Sequence, residues 1–336
     1  MRQRIRNGYW LAENGIVVWL VVVVLLAVTA IQAQGFATGA NLTNVGRQGV
    51  VLALVALAQY VIVLTGGADL SIAANVKITS ILAAIVMSGQ NENLLAGIAV
   101  ALGVGLAIGA LNAAVILLFS VEPFIVTLGV GAIVSGISLW IASTPQGRSA
   151  PALDAFYGAT LPGGLYAVTL LAIVIWALVW AWLVHTPGGR HIYAVGGAPA
   201  VSALSGVKVK TVTASAYLVG GLLGGVGGVV TLAATGVGDP NAAFGLDFTS
   251  LAVVIIGGAS LAGGRGRLTG LLAGVVLFAI LGNIFNLLRV DVWYQQLLKG
   301  IIILIAAAFV MQRTDSRKKS VRTTTRREVL TNGNDQ

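Results

Sequence analysis

No cysteine occurs in the 336 residues, so neither a disulfide framework nor a thiolate metal site is available. Charge is almost as scarce, with 9% of residues charged against 57% hydrophobic, a balance that excludes a soluble globular domain. Only two histidines are present, His185 and His191, and neither has acidic neighbours at ligand spacing, which removes a metal centre as well. The chain contains no Gly-Lys pair. A phosphate loop of the GxxxxGKS/T type is therefore absent, and ATP is not bound by that route. No nucleophile and base stand together at catalytic spacing, so an integral membrane enzyme finds no support. The net charge of +9 could suggest nucleic acid, but the basic residues lie in loops and a tail that flank apolar runs, where membrane orientation explains them better.

What the chain does have is apolar length. Runs of about 20 hydrophobic residues recur along most of it, and each is long enough to cross a hydrocarbon core. Spans are predicted at 15–31, 49–64, 72–88, 94–119, 124–142, 164–184, 212–234, 248–263, 268–288 and 293–311. The expected fold is all-α, a polytopic integral membrane protein of about ten transmembrane helices. A transmembrane domain over 1–312 would be followed by a basic, polar, disordered tail over 313–336, attracted to anionic lipid headgroups. The 44 glycines suit helices that approach closely, and pairs such as Gly220-Gly221 and Gly224-Gly225 lack the preceding strand that dinucleotide binding needs.

Arg2, Arg4 and Arg6 precede the first run, which is too long and lacks the cleavage-like end of a signal peptide. With the N-terminus inside and ten spans, fifteen basic residues fall on the inner side: those three, Arg190, Lys208, Lys210, Arg265, Arg267 and seven in the tail. Three fall outside, Arg47, Arg148 and Arg289, while Lys77 and Lys299 sit near span ends. This asymmetry predicts both termini in the cytoplasm. The longest outside loop, 143–163, is where a partner or solute could arrive.

The inside loop 186–211, TPGGRHIYAVGGAPAVSALSGVKVKT, is the most polar interruption between two apolar runs. Gly196-Gly197 reads as a flexible entry and Pro199 as a first helical turn. AVSAL then reads as a short helix, and Gly206 as the left-handed stop. Val201 and Leu204 would form an apolar edge, with Ser202 and Ser205 polar, a surface suited to another protein's groove. An ordinary connecting helix fits the same spacing. The turn Gly257–Gly266 is either a plain helix reversal or a second partner contact.

Acidic residues at depth are few, namely Asp69, Glu122, Asp239, Asp247 and Asp291, all near span ends, which argues against an ion-coupled carrier. Gly66-Gly67 should break the helix before Asp69 and Ser71. There Asp69 either caps the restarted helix or belongs to a path lined by unwound backbone. Asn75, Asn112, Thr127 and Ser135 could face such a path or satisfy a neighbouring helix. Glu122 and Pro123 are ordinary capping residues ahead of Phe124.

Five stretches taken in register resemble one family. They are TGGADLS at 65–71, EPFIVTLG at 122–129, GGRHIYAVGGAPAVSALSGVKV at 188–209, FGLDFTSLAVVIIGGASLAGGRGRLTG at 244–270, and the run from Gly282-Asn283 through Trp293, Gln295-Gln296 and Lys299-Gly300. The chain is similar in these to the membrane permease subunits of ribose-type bacterial ABC sugar importers. The resemblance implies a type II importer permease of the bacterial inner membrane, with a second permease copy or paralogue, two ATP-binding subunits that hold the ATP and magnesium, and an extracytoplasmic solute-binding protein. It implies no cofactor in this chain itself. It makes Gly197, Ala198, Pro199, Val201, Leu204, Ser205, Gly206 and Arg265 the expected ATPase-coupling residues, and Asp69, Ser71, Asn75, Asn112, Phe124 and Thr127 the expected path residues. The implied solute is a monosaccharide or similar small polar molecule, with a nucleoside, polyol or autoinducer-like furanose, or an ATP-independent carrier, as alternatives. Departures fall around the break: Ile72–Lys77 replaces a Gly-Ser pair usual after DLS, Glu122 stands where a second proline is common, and Gln59-Tyr60 replaces a small residue followed by Met-Thr.

Overall fold

The computed structural model describes residues 15–32, 35–291, 293–301 and 304. Arg2, Arg4, Arg6, the tail 313–336 and the later part of the expected last span lie outside the described residues. Among the described residues, thirteen α-helices lie as far as Val290, with a short 3-10 turn at Asn91–Asn93. They are α1 (Ile16–Gln32), α2 (Gly39–Gln48), α3 (Val50–Leu64), α4 (Ile72–Met87), α5 (Leu94–Phe119), α6 (Pro123–Ile141), α7 (Pro151–Gly158), α8 (Ala167–His185), α9 (Pro187–Gly197), α10 (Pro199–Leu204), α11 (Val209–Thr235), α12 (Leu246–Ile256) and α13 (Leu268–Leu287). Residues 291 onward form a separate unit in which 293–301 are helical. Two isolated bridges, Gln146 with Gly238 and Thr160 with Tyr166, are the extended pairings among the described residues.

Among the described residues, five helices are long and apolar enough to cross a membrane, α5, α6, α8, α11 and α13, and α2 with α3 makes a sixth that bends by 44°. The bend falls at Gly49, where a Cβ would come within 3.2 Å of the Ala279 side chain on α13. Three further apolar helices, α1, α4 and α12, are shorter than a full span. The shortfall in α4 and α12 arises because residues before each, 65–71 and 236–245, are irregular rather than helical.

The bundle is centred on α4, which packs against α11, α5, α6 and, more lightly, α12. Glycine sets how closely α5 and α11 pass. A Cβ on Gly105 would lie 2.9 Å from Gly225, and one on Gly221 would lie 2.8 Å from Gly109. No larger residue fits those four positions, so the pairs expected to serve helix packing do so here.

The loops gather at two ends. At one, the Gly264 amide donates to the Leu64 carbonyl at 2.9 Å and the loop of α9 and α10 lies beside them. At the other, Gly89 donates to Arg148 at 3.0 Å, Ser149 to Gly236 at 3.0 Å, and Ala152 to the Asn91 side chain at 2.8 Å. The described basic residues divide accordingly. Arg190, Lys208, Lys210, Arg265 and Arg267 belong to the first end, and Arg47, Arg148 and Arg289 to the second, with Arg47 stacked on Tyr166 at 4.3 Å. Lys77 belongs to neither.

Candidate functional site

Helix α3 ends in Thr65-Gly66, α4 restarts at Ile72, and the residues between would leave amide and carbonyl groups exposed to hydrocarbon unless side chains met them. They are met. The Gln59 amide, oriented to satisfy both, donates to the Asp69 carbonyl at 2.9 Å and accepts from the Asp69 N–H at 3.2 Å. The Leu70 N–H donates to the Thr127 hydroxyl at 3.1 Å, and the Tyr217 hydroxyl donates to the Ala68 carbonyl at 3.4 Å. Asp69 is 2% exposed, and one carboxylate oxygen accepts from the Ser71 N–H at 2.7 Å and the Ser71 hydroxyl at 2.6 Å. The Asn112 side-chain amide in turn donates to the Ser71 oxygen at 2.7 Å. Asp69 therefore closes a turn just ahead of the restarted helix, inside a buried polar network; the N-cap position belongs to Ser71, which makes no side-chain cap bond, so the expected capping by Asp69 is not what is seen.

Asn75 lies one turn further on, donating to the carbonyls of Gly221 at 3.1 Å and Gly105 at 3.4 Å. That contact fastens α4 where α5 and α11 cross. The Oδ1 atoms of Asn75 and Asn112 are buried with no hydrogen-bond partner among the described residues. The structure thus brings Asp69, Ser71, Asn75, Asn112 and Thr127 together. Phe124 does not join them: its side chain is half exposed, and only its carbonyl approaches the Thr127 hydroxyl. Its aromatic ring sits one turn below Thr127 on a face of α6 that also exposes Ile125 and Leu128. Gln59 and Tyr217 were missing from the expected set, although a lone Gln in the apolar run 50–64 was a visible signal.

The loop between α8 and α11 holds two helices where one was expected. Pro187 starts α9, capped by the Thr186 hydroxyl, which accepts from the Gly189 N–H at 3.2 Å. Pro199 starts α10, and Gly206 ends it at φ +82°. Val207 N–H bonds to the Ser202 carbonyl and Gly206 N–H to the Ala203 carbonyl, both at 3.0 Å, a Schellman closure. The predicted left-handed stop is in place. Leu204 is 90% exposed and Val201 61%, so the apolar edge points away from the bundle. Ser202 does not share that exposure; it is buried against the protein, and only Ser205 remains polar and outward, its hydroxyl bonded to the Val201 carbonyl.

Gly196-Gly197 is not a flexible entry. A Cβ on Gly196 would run into the Leu64 carbonyl and lie 2.6 Å from the Gly264 nitrogen. One on Gly263 would lie 2.7 Å from the Gly66 nitrogen and 2.8 Å from the Gly196 oxygen. Three backbones therefore meet without side chains: the end of α3, the end of α9 and the turn 257–266. The Tyr60 and Tyr193 hydroxyls, 3.1 Å apart, add a second tie between α3 and α9. Arg265, exposed and next to Gly264, stands beside Gly197 and so beside the start of α10. Gly197, Ala198, Pro199 and Ser205 are exposed around it. The glycine-rich turn is thus more than a reversal; it is the third strand of a junction that joins the exposed helix to the break.

Long apolar helices around a buried polar break, with an apolar helix held outside the bundle, define a polytopic membrane permease. The chain belongs to the permease-component family described as branched-chain amino acid transport system / permease component, whose model matches residues 41–307. It is 33% identical over 301 residues to the ribose import permease protein RbsC of Escherichia coli strain K12, covering 88% of this chain and 93% of the relative. It is 32% identical over 305 residues to RbsC of Bacillus subtilis strain 168, covering 88% and 91%. The galactose/methyl galactoside import permease protein MglC of Salmonella typhimurium is 30% identical over 317 residues, covering 89% and 94%. No solved structure matches. The relatives are permeases rather than enzymes, and so is this multi-pass membrane chain.

Proposed function

We propose that this chain is the membrane-spanning permease subunit of an ATP-driven importer, forming the route for a monosaccharide or similar small polar solute handed over by a solute-binding protein. The names of the relatives, import permeases for ribose and galactose, support the sugar class. The single observation that carries the coupling assignment is the exposed apolar edge of α10 set beside the glycine junction. An edge of Val201 and Leu204 beside basic Arg265 suits the groove of a cytoplasmic ATPase, with Gly197, Ala198, Pro199, Ser205 and Gly206 fixing its presentation.

Two ATP-binding subunits hold the nucleotide and magnesium, and closure of that pair moves α10 as a rigid body. Motion at α10 passes through Gly196, Gly263 and Gly264 to Leu64 and Gly66, and so to the break at Asp69. There Ser71, Asn75, Asn112 and Thr127 line or support the switching route, with Phe124 on its inner approach. A second permease, a copy or a paralogue, completes the path. The end rich in basic residues is cytoplasmic, with both termini on that side, ten spans in the bacterial inner membrane, and the domain over 1–312 followed by a lipid-facing tail over 313–336. The loop 143–163 then meets the binding protein. Affinity purification of the chain from its native membrane in mild detergent tests this reading: an ATPase and a solute-binding protein should accompany it, whereas recovery of the chain alone would overturn it.

A further inference from the structure

Lys77 was expected near a span end, but it stands at mid-depth. It lies between Asn75, whose amide meets Gly221 on α11, and Thr79, whose hydroxyl lies against Gly228 on the same helix. Those glycines are interior to Val209–Thr235, with more than a turn of helix beyond them on either side. Twelve of the sixteen residues of α4 are buried, yet Lys77 is only partly so, on the face of α4 that also carries Ala73, Ser80 and Ala84. Toward the second end of the bundle that face is roofed over. Gly238 lies against Ile81 and Ala84, and Gly147 against Ala84 and Ile85. Asp247 lies half-buried in the first turn of α12, a helix that packs against α4. Nothing in the polar network around Asp69 uses either residue.

A lysine at the middle of a membrane helix is costly if it must face lipid, so a partly exposed one on an otherwise buried face fronts water or protein instead. Resting on the importer reading, we propose that the α4–α12 face is a wall of the water-filled route and that Lys77 and Asp247 contact the solute there as it passes. A cation and an anion carried on two helices packed against each other offer donors and acceptors in balance. They suit a neutral, hydroxyl-rich solute, whose hydroxyls both donate and accept, better than a solute of net charge.

The absence of native cysteine makes the test direct. The full complex carrying Lys77→Cys is reconstituted in lipid and treated with a charged, membrane-impermeant methanethiosulfonate, with modification read on this chain by mass. Ile173→Cys, on the outward side of the sparsely buried α8, is the lipid-facing control. Modification at position 77 should be at least about tenfold faster than at 173, because only a hydrated thiol ionises and meets the reagent. Equal, slow rates would overturn the proposal. In a second chain, Asp247→Cys should react faster with the anionic than with the cationic reagent, and Lys77→Gln should abolish that preference. A preference indifferent to Lys77→Gln would show that its ammonium does not enter the same water. Loss of the ATPase from the preparation would instead remove the importer reading, and rapid labelling at 77 in that preparation would still uphold the hydrated wall, so the two failures are told apart.

Discussion

The segment from Gly66 to Ser71 and the helix Pro199–Leu204 are both short interruptions in a chain of long apolar helices, but they are completed to opposite degrees. Around the first, each irregular backbone group named above meets a side chain, and Asp69 and Ser71 are sealed from solvent. Around the second, the backbone closes on itself through a Schellman turn while Leu204 and Val201 are left bare. At membrane depth neither water nor lipid can satisfy a polar group, so the break has to be self-sufficient within this chain. At the membrane surface an exposed apolar edge is unfinished, and the docking proposed above is what would complete it. The glycine junction ties the two together, and substitutions should separate them.

The largest effect is expected where the two regions join. Gly196→Val drives side-chain atoms into the Leu64 carbonyl and should destabilise the purified protein by about 3 kcal/mol or more, read as a lowered thermal midpoint in detergent. Gly197→Ala is the matched control, because its Cβ would meet only Gly264 at 3.9 Å, and it should melt as the parent does. Equal melting of the two variants would show that the junction is loose. Next comes Gln59→Leu, which strands the Asp69 N–H and C=O in an apolar interior. A loss of about 2–4 kcal/mol is expected from the same melts, with the edge of α10 unaffected. Asn112→Ala should cost less, about 1 kcal/mol, since it removes the bond to Ser71 but also an oxygen that has no partner. A cost exceeding that of Gln59→Leu would mean that the Asn112 oxygen is satisfied in the working complex.

How much of this could be read beforehand depended on whether a property was local. Pro199, the AVSAL run and Gly206 spell their helix within eight residues, and the structure reproduces its start and stop. The same holds for the break at Gly66-Gly67, but not for the cap, since Ser71 rather than Asp69 takes the N-cap position. Gly196 was misread because glycine looks alike in a hinge and in a close contact, and its partners, Leu64 and Gly264, lie far off in sequence. Helix α9 was missed because PGGRHIYAVGG has four glycines and little apolar periodicity; it is held by packing of Ile192 and Val195 and by the Tyr60 to Tyr193 tie. Lys77 was placed near a span end because α4 was assumed to begin at the membrane surface, whereas it begins inside the bundle, with Leu70 and Ser71 against Gly131 on α6. The family itself was legible from five motifs in order, of which TGGADLS and EPFIVTLG meet at the break and the stretches 188–209 and 244–270 meet at the glycine junction.

Leu204→Asp places a carboxylate on a side chain that touches no core, so it should alter stability by less than about 0.5 kcal/mol. It is the smallest change to the fold and the most direct test of what α10 is for. The variant and the parent chain would be purified side by side from the native membrane, and the ATPase recovered per permease quantified. A folded Leu204→Asp chain that has lost most of its ATPase is the predicted result. Undiminished recovery would contradict the account and return α10 to a connector.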